Sequence, residues 1–252
     1  MKRNIKSLVG YAMGATDGEI GKVRDFYFDD QTWTIRYLVV ETGGWLSGRK
    51  VLISTEAVKG QGWQDKVLPV NLTQEQVKNS PDIDTEQTVS RQHEIELYKH
   101  YPWTHYWAGG LWAAGIGTTG MMVGDPEPVE GHIREDAPGE TKKMEQSHLR
   151  SYTNVKGYMI HETDGHIGDV DDFIIDDSTW RIDFLVVDTG NWLPGKKVLL
   201  SPRMITNMDW VTSMVHVNES KEQLRHSPEF DADQVMTDAY QRKMEEYYHD
   251  PV

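Results

Sequence analysis

The sequence contains no cysteine among its 252 residues. This absence excludes a disulfide framework and any metal site built from thiolates. It does not decide between an oxidising and a reducing compartment. Apolar residues are also scarce, since they make up 38% of the chain and the mean hydropathy is −0.61. The hydrophobic cores must therefore be small.

Basic side chains are too few to balance the acidic ones, and the formal net charge is −14. The excess is concentrated in residues 153–252, where 19 acidic side chains outnumber nine basic ones. Because an acidic surface repels phosphate backbones, this balance argues against direct binding of nucleic acid.

The sequence has no nucleophile elbow, P-loop, dinucleotide-binding fingerprint or zinc-protease motif. Its ten histidines are scattered, and the acidic residues of the second half do not have the spacing of an EF-hand loop. We therefore expect no enzyme activity, no cofactor and no metal.

No long aliphatic run is present. The uncharged stretch 106–124 approaches the length of a membrane span, but it contains six glycines and few large aliphatic side chains. A linker that packs its aromatic side chains on the neighbouring domains is the favoured interpretation, and a membrane span is the alternative.

The apolar residues 7–15 superficially resemble a signal peptide, but they align with interior residues 154–162. We therefore expect a cytoplasmic protein.

The chain contains one long internal repeat. Thr-Asp-Gly-x-Ile-Gly occurs at residues 16–21 and again 147 residues later, at 163–168. At this offset, about 35 positions of residues 10–84 are identical in 157–231. A repeat of this length is a duplicated domain. We predict a first repeat over 1–101, a linker over 102–152 and a second repeat over 153–252.

Each repeat has the pattern of short strands with turns every 8–12 residues, which favours a small closed β-barrel. A short helix follows in both copies. Its capping box is Thr73 with Gln76 in the first repeat and Ser220 with Gln223 in the second. A second helix is predicted near 85–99 and 232–248. The predicted fold is mainly β with short helices: two barrels, each followed by C-terminal helices, joined by a Gly/Trp-rich linker.

Three shared motifs identify a family resemblance. Both repeats contain Gly-Tyr-x-x-x-x-x-Asp-Gly-x-Ile-Gly-x-Val-x-Asp-Phe, then Trp-x-Ile-x-x-Leu-Val-Val-x-Thr-Gly, and then Lys-Val-Leu followed by Ile or Leu and Ser. The pattern closely resembles the PRC-barrel family. The resemblance implies a small β-barrel similar to the cytoplasmic domain of the reaction-centre H subunit and the C-terminal domain of ribosome-maturation factors. It also implies a role in binding other proteins and supplies no catalytic motif.

Both copies have an aspartate at the same position inside a strand-like run, Asp25 in the first and Asp172 in the second. It either accepts backbone N–H bonds at a β-bulge, which we favour, or binds a ligand.

Another set of positions changes charge between the copies. Lys22, Arg24 and Arg36 are replaced by Asp169, Asp171 and Asp183. We predict that these two patches pair within the chain or between two chains, and independent drift of surface residues is the alternative.

The tryptophans are the other candidate contact residues. Trp45 and Trp192 occupy the same loop position in the two repeats, and Trp103 and Trp107 begin the linker. Each loop tryptophan is interpreted as a lid on its own barrel or as a contact for a partner. The prediction is a non-catalytic protein-binding adaptor whose protein partner is unidentified. The alternatives are a membrane-associated scaffold that uses residues 106–124 and an accessory factor in ribosome assembly or RNA processing.

Overall fold

The computed structural model describes residues 1–46, 48–60, 63, 65–81, 91–101, 103, 148–162, 165–190, 193–227, 230 and 237–249. The chain divides into two compact units. One unit combines Met1–Thr88 with His148–Val252 and holds both sequence repeats, and the other is Val89–Ser147.

The first repeat forms an antiparallel meander that β-branched and aromatic residues favour. Its strands are β2 (Ala12–Gly14), β3 (Glu19–Asp29), β4 (Thr34–Thr42), β5 (Lys50–Ser54) and β6 (Val67–Pro69). They are ordered β5-β4-β3-β2-β6, and only the β2–β6 pair among them is parallel. The segment after β5 bonds to the end of β6, because Lys59 N donates to Pro69 O and Asn71 N donates to Ala57 O.

The second repeat builds the same arrangement. Its strands are β8 (Met159–Glu162), β9 (Gly165–Asp176), β10 (Ile182–Asp188), β11 (Lys197–Leu200), β12 (Ile205–Asp209) and β13 (Met214–Val217). They are ordered β11-β10-β9-β8-β13-β12. The predicted class, mainly β with short helices and two similar domains, is confirmed.

The two sheets exchange their first strands. Strand β1 (Lys2–Asn4) pairs with β9 of the second repeat, and β7 (Leu149–Ser151) pairs with β3 of the first. Strand β7 lies within the stretch that the sequence assigned to the linker. The second repeat begins with this strand, near residue 148, because β7 has the same place in the fold as β1.

The other described elements include short α-helices. They are α1 (Ile5–Leu8), α2 (Gln74–Lys78), α3 (Arg91–His100), α4 (Tyr152–Val155), α5 (Lys221–His226) and α6 (Asp238–His249). Both predicted capping boxes are formed, with Thr73 and Gln76 at α2 and Ser220 and Gln223 at α5. Met244 of α6 packs in the core of the second repeat.

One glycine in each repeat allows two strands to approach closely. A Cβ on Gly21 would lie 2.0 Å from Glu41 O, and one on Gly168 would lie 2.3 Å from Asp188 O. No side chain fits such a gap, so the Ile-Gly step of the repeated motif is a packing requirement.

In the unit Val89–Ser147, helix α3 is described together with Tyr101 and Trp103. The Tyr101 and Trp103 rings stack with centroids 4.0 Å apart, and Tyr98 meets Trp103 edge-on at 6.1 Å. Residues 106–124 lie outside the described residues. Among the described helices, none is both long and apolar enough to cross a membrane.

Candidate interaction site at the junction of the two repeats

Each exchanged strand pairs with the final residues of a long strand in the other repeat. Lys2 lies opposite Asp176, and in the same way Leu149 lies opposite Asp29. Both members of the second pair lie 147 residues from their counterparts in the first. The two contacts are therefore related by the same offset as the repeat, and the junction has an approximate two-fold symmetry.

Asp25 anchors the segment that follows β7. Its Oδ1 accepts hydrogen bonds from Thr153 N (3.0 Å), Thr153 Oγ1 (2.9 Å) and Phe26 N (2.8 Å). Its Oδ2 accepts a bond from Ser151 Oγ (2.5 Å). Asp25 lies at a register shift in the β3–β4 pairing. The carboxylate therefore accepts backbone N–H bonds at a bulge, as favoured from the sequence, and one of these N–H groups begins helix α4 of the other repeat.

Asp172 makes the equivalent contact with helix α1. Its Oδ1 accepts bonds from Lys6 N (3.1 Å), Tyr152 Oη (3.0 Å) and Phe173 N (2.8 Å). Among the described residues, its buried Oδ2 has no hydrogen-bond partner. Burial raises the pKa of Asp172, and the three hydrogen bonds only partly offset this effect. Burial and the nearby Asp172 charge raise the pKa of Tyr152, which keeps its hydroxyl protonated as a donor.

The two β-hairpin turns also bond to each other. Ile35 N donates to Trp180 O (2.8 Å), and Ile182 N donates to Trp33 O (2.7 Å). Both tryptophans adopt a positive φ, 51° at Trp33 and 59° at Trp180. This conformation is costly for a non-glycine residue, and here each of the two residues offers its carbonyl to the other repeat.

Aromatic side chains fill the junction between these backbone contacts. Phe28 of the first repeat meets Phe173 of the second edge-on, with centroids 5.4 Å apart, and Trp63 packs against Trp180 at 5.3 Å. The Arg3 guanidinium lies over the Trp63 ring at 5.4 Å. At the equivalent place, the Arg150 guanidinium lies over Trp210 at 4.4 Å. These cation–π contacts hold both exchanged strands against the aromatic rings.

The ion pairs at the junction differ between its two sides. Lys2 Nζ contacts Asp176 (3.0 Å) and Asp183, and Arg3 Nε contacts Asp177 Oδ2 (2.8 Å). Burial alone would lower the pKa of Lys2, but its bonds to Asp183 and Asp176 outweigh that effect and raise it. Burial alone would raise the pKa of Asp177, but Arg3 and the amino terminus hold it below its usual range. Both groups therefore remain charged in the folded chain at neutral pH.

On the opposite side, Asp30 has the position of Asp177. It contacts Arg150 Nε (3.0 Å) and His148 Nδ1 (3.2 Å). Here burial dominates and raises the pKa of Asp30, despite the opposing effects of Arg150 and His148. The two sides place an arginine and an aspartate at equivalent positions, but their electrostatics differ, and Leu149 stands at the place of Lys2.

The structure places the charge-reversed residues in different environments. Arg24 pairs with Glu41 (2.5 Å), Asp171 pairs with Lys197 (2.6 Å) and Asp169 contacts His166 (3.1 Å). Lys22 is exposed, and Arg36 Nη2 donates to Thr32 Oγ1 (3.1 Å). The partners named here lie in the same repeat, whereas Asp183 contacts Lys2 of the other repeat as well as Arg181 of its own. Pairing of the whole patches stays a prediction for contacts between chains.

Trp45 is anchored on its own repeat and still presents part of its ring to solvent. Its Nε1 donates to Ile20 O (2.8 Å), and the residue is 38% exposed. Trp103 stacks on Tyr101. Trp192 and Trp107 lie outside the described residues. Lid and contact surface are thus compatible roles for Trp45.

Sequence reasoning missed the exchanged strands and their charged residues, Lys2, Arg3 and Arg150. One signal was available, because Arg3 and Arg150 are identical at the 147-residue offset although they precede the segment from which the repeat was defined. Among the described residues, no cluster of histidine and carboxylate side chains could hold a metal ion.

These features define a two-domain protein whose repeats complete each other's sheets. The chain belongs to the PRC-barrel domain family, whose model matches residues 5–74 and 148–224. A protein of Deinococcus radiodurans, described as an uncharacterized protein, is 35% identical over 83 residues. The match covers 32% of this chain and 29% of that relative, so the chain spans less than a third of the relative's length.

Proposed function

We propose that the chain is a non-catalytic adaptor that binds protein partners in the cytoplasm through its two PRC domains. The observation that supports this most directly is that the aspartate shared by both repeats has a structural role. Asp25 and Asp172 both hold helices of the other repeat, so these carboxylates are committed to the contact between repeats.

The exchange also favours a scaffold role. Each sheet contains a strand from the other repeat, so the two domains cannot separate without breaking backbone pairing. Surfaces repeated on both domains are then held at a fixed spacing, which lowers the entropic cost of binding a partner at two points. Trp45, with its partly exposed ring, is a candidate contact on the first domain, and Trp192 is its sequence equivalent on the second.

Affinity capture with the full chain as bait tests this proposal. We expect the combined substitution Trp45→Ser and Trp192→Ser to remove the partners that the wild type retains. Val211→Ser is the matched control, because Val211 is an apolar side chain 94% exposed on the β12–β13 turn. The combined substitution Trp45→Phe and Trp192→Phe keeps two aromatic rings and separates lost contact from lost anchoring at Ile20 O. Retention of the same proteins by the serine variant would contradict the proposed surface.

Association between two copies of the chain is a separate outcome. Reversing the charges of Lys22, Arg24 and Arg36 together, followed by sedimentation at low and high salt, tests whether the patches pair between chains. We expect the variant to weaken self-association at low salt only. Unchanged sedimentation would support independent drift.

A further inference from the structure

A cleft of about 340 Å³ opens where the two repeats meet. The β3–β4 turn of the first repeat lines one side, and β10 with the 3-10 turn Pro202–Met204 of the second lines the other. Trp33 and Ile182 both line it, and Ile182 N donates to Trp33 O. The backbone therefore fixes the width of the cleft.

The charge of the cleft is opposite to that of the protein. Two arginines, Arg181 and Arg203, and one carboxylate, Asp183, line it in a chain whose net charge is −14. Arg181 Nε lies 4.0 Å from Asp183 Oδ1, too far for a hydrogen bond, and Lys2 already compensates the Asp183 carboxylate. Among the described residues, the exposed Arg203 guanidinium has no ion pair. Two guanidinium groups are thus available to an anion.

Two hydroxyl groups add uncharged donors. Thr32 Oγ1 accepts a bond from Arg36 Nη2, and Ser201 Oγ accepts one from Arg203 N. Both side chains line the cleft, and each hydroxyl still has its own proton to donate. Donors that come from several directions suit a tetrahedral oxyanion better than a planar carboxylate.

The equivalent positions on the other side of the junction lack this set. Thr34 stands at the place of Arg181 and Glu56 at the place of Arg203. The duplication therefore leaves the arginine pair on one side only, which predicts one bound anion per chain.

We propose that this cleft binds a tetrahedral oxyanion, either inorganic phosphate or the phosphate group of a small monoester. Arg181 and Arg203 pair with its charge, and Thr32 and Ser201 donate hydrogen bonds to its oxygens. Nothing in this site requires a protein partner, so it stands or falls separately from the adaptor function.

Calorimetric titration of the full chain tests the cleft. Inorganic phosphate and phenyl phosphate are titrated in separate arms, and benzoate provides the carboxylate arm. We expect saturable binding of one phosphate-bearing ligand per chain, weakened by added salt, with benzoate bound much more weakly. Tighter binding of phenyl phosphate assigns the site to monoesters, and tighter binding of inorganic phosphate assigns it to the free ion.

The double substitution Arg181→Thr and Arg203→Glu gives the cleft the residues of its equivalent in the first repeat. We expect it to abolish measurable binding, while Arg203→Ala alone weakens it about tenfold or more, as expected for a lost charged hydrogen bond. Arg225→Ala is the control, because Arg225 is similarly exposed and pairs with Glu222 (3.5 Å) on α5. A wild type that binds neither phosphate nor its ester at millimolar concentration would overturn the proposal. Equal binding by the double variant, or equal binding of benzoate, would do the same.

Discussion

Replacing Asp25 with alanine should release the segment that the second repeat inserts into the first. The substitution removes the acceptor for Ser151 Oγ, Thr153 N and Thr153 Oγ1. Asp25 accepts a first-turn N–H of α4, and losing such an acceptor costs about 1 kcal/mol, as for a helix cap, while a hydrogen bond to a charged acceptor contributes about 1.5–3 kcal/mol. Water replaces some of these bonds, since Asp25 is only partly buried. We therefore expect Asp25→Ala to lower the free energy of unfolding by roughly 2–4 kcal/mol.

Urea unfolding measures the total loss, and hydrogen exchange locates it. Exchange should accelerate first in residues 149–155, the segment that Asp25 holds. Glu19→Ala is the matched control, because Glu19 is an exposed acid on the same strand. A loss below about 0.5 kcal/mol, the usual range for a surface substitution, together with unchanged exchange in 149–155, would refute the assignment.

The equivalent acid of the second repeat should respond differently to amide replacement. Asp172→Asn keeps an oxygen for the three bonds at Oδ1, and it changes only Oδ2, which lacks a hydrogen-bond partner among the described residues. The substitution also removes a buried carboxylate whose pKa is raised by burial. We expect Asp172→Asn to be neutral or stabilising at neutral pH, whereas Asp25→Asn destabilises because Ser151 Oγ loses a charged acceptor. The advantage of Asp172→Asn should shrink as the pH falls, since the wild-type carboxyl then takes up its proton.

Three further predictions concern the ion pairs, the strand contacts and the connection between the repeats. Arg3→Ala should destabilise the chain at neutral pH by loss of the Asp177 pair and of the cation–π contact. The pKa of Asp177 is lower in the folded than in the unfolded chain. The stability that the ion pair contributes is therefore fully present above the unfolded pKa, and it is lost as the pH falls through the folded pKa. Urea titrations at neutral and acid pH would detect this change. Gly21→Ala should lower the melting temperature markedly, because its Cβ would meet Glu41 O at 2.0 Å, while Gly44→Ala, with no atom within 4 Å, should change it little. Cleavage at a protease site inserted after residue 124 should leave the two halves associated in size-exclusion chromatography, and separation without denaturant would show that the exchanged strands do not hold them.

Much of each domain could be predicted from the sequence because the repeat acts as an internal control. The capping boxes at Thr73 and Ser220 and the bulge acids Asp25 and Asp172 depend on short-range patterns, which a sequence displays directly. The pairing partner of strand β1 does not depend on such a short-range pattern. The residues of β1 pair with positions 170 or more residues away, and Lys2–Asn4 is too short to carry a periodic pattern of its own. Only the structure shows that the helix held by each acid belongs to the other repeat.

The charge difference between the repeats favours the exchange over pairing of β1 with its own domain. In the observed pairing, Lys2 lies opposite Asp176 and its ammonium also contacts Asp183. If β1 paired with β3 of its own repeat in the register that β7 uses, Lys2 would take the place of Leu149. The residue at the position of Asp183 would then be Arg36, and two like charges would be brought together across neighbouring strands. Lys2 would lie opposite an acid in either pairing, Asp29 or Asp176, so the preference for exchange comes from the neighbouring strand, where Asp183 attracts the Lys2 ammonium and Arg36 would repel it.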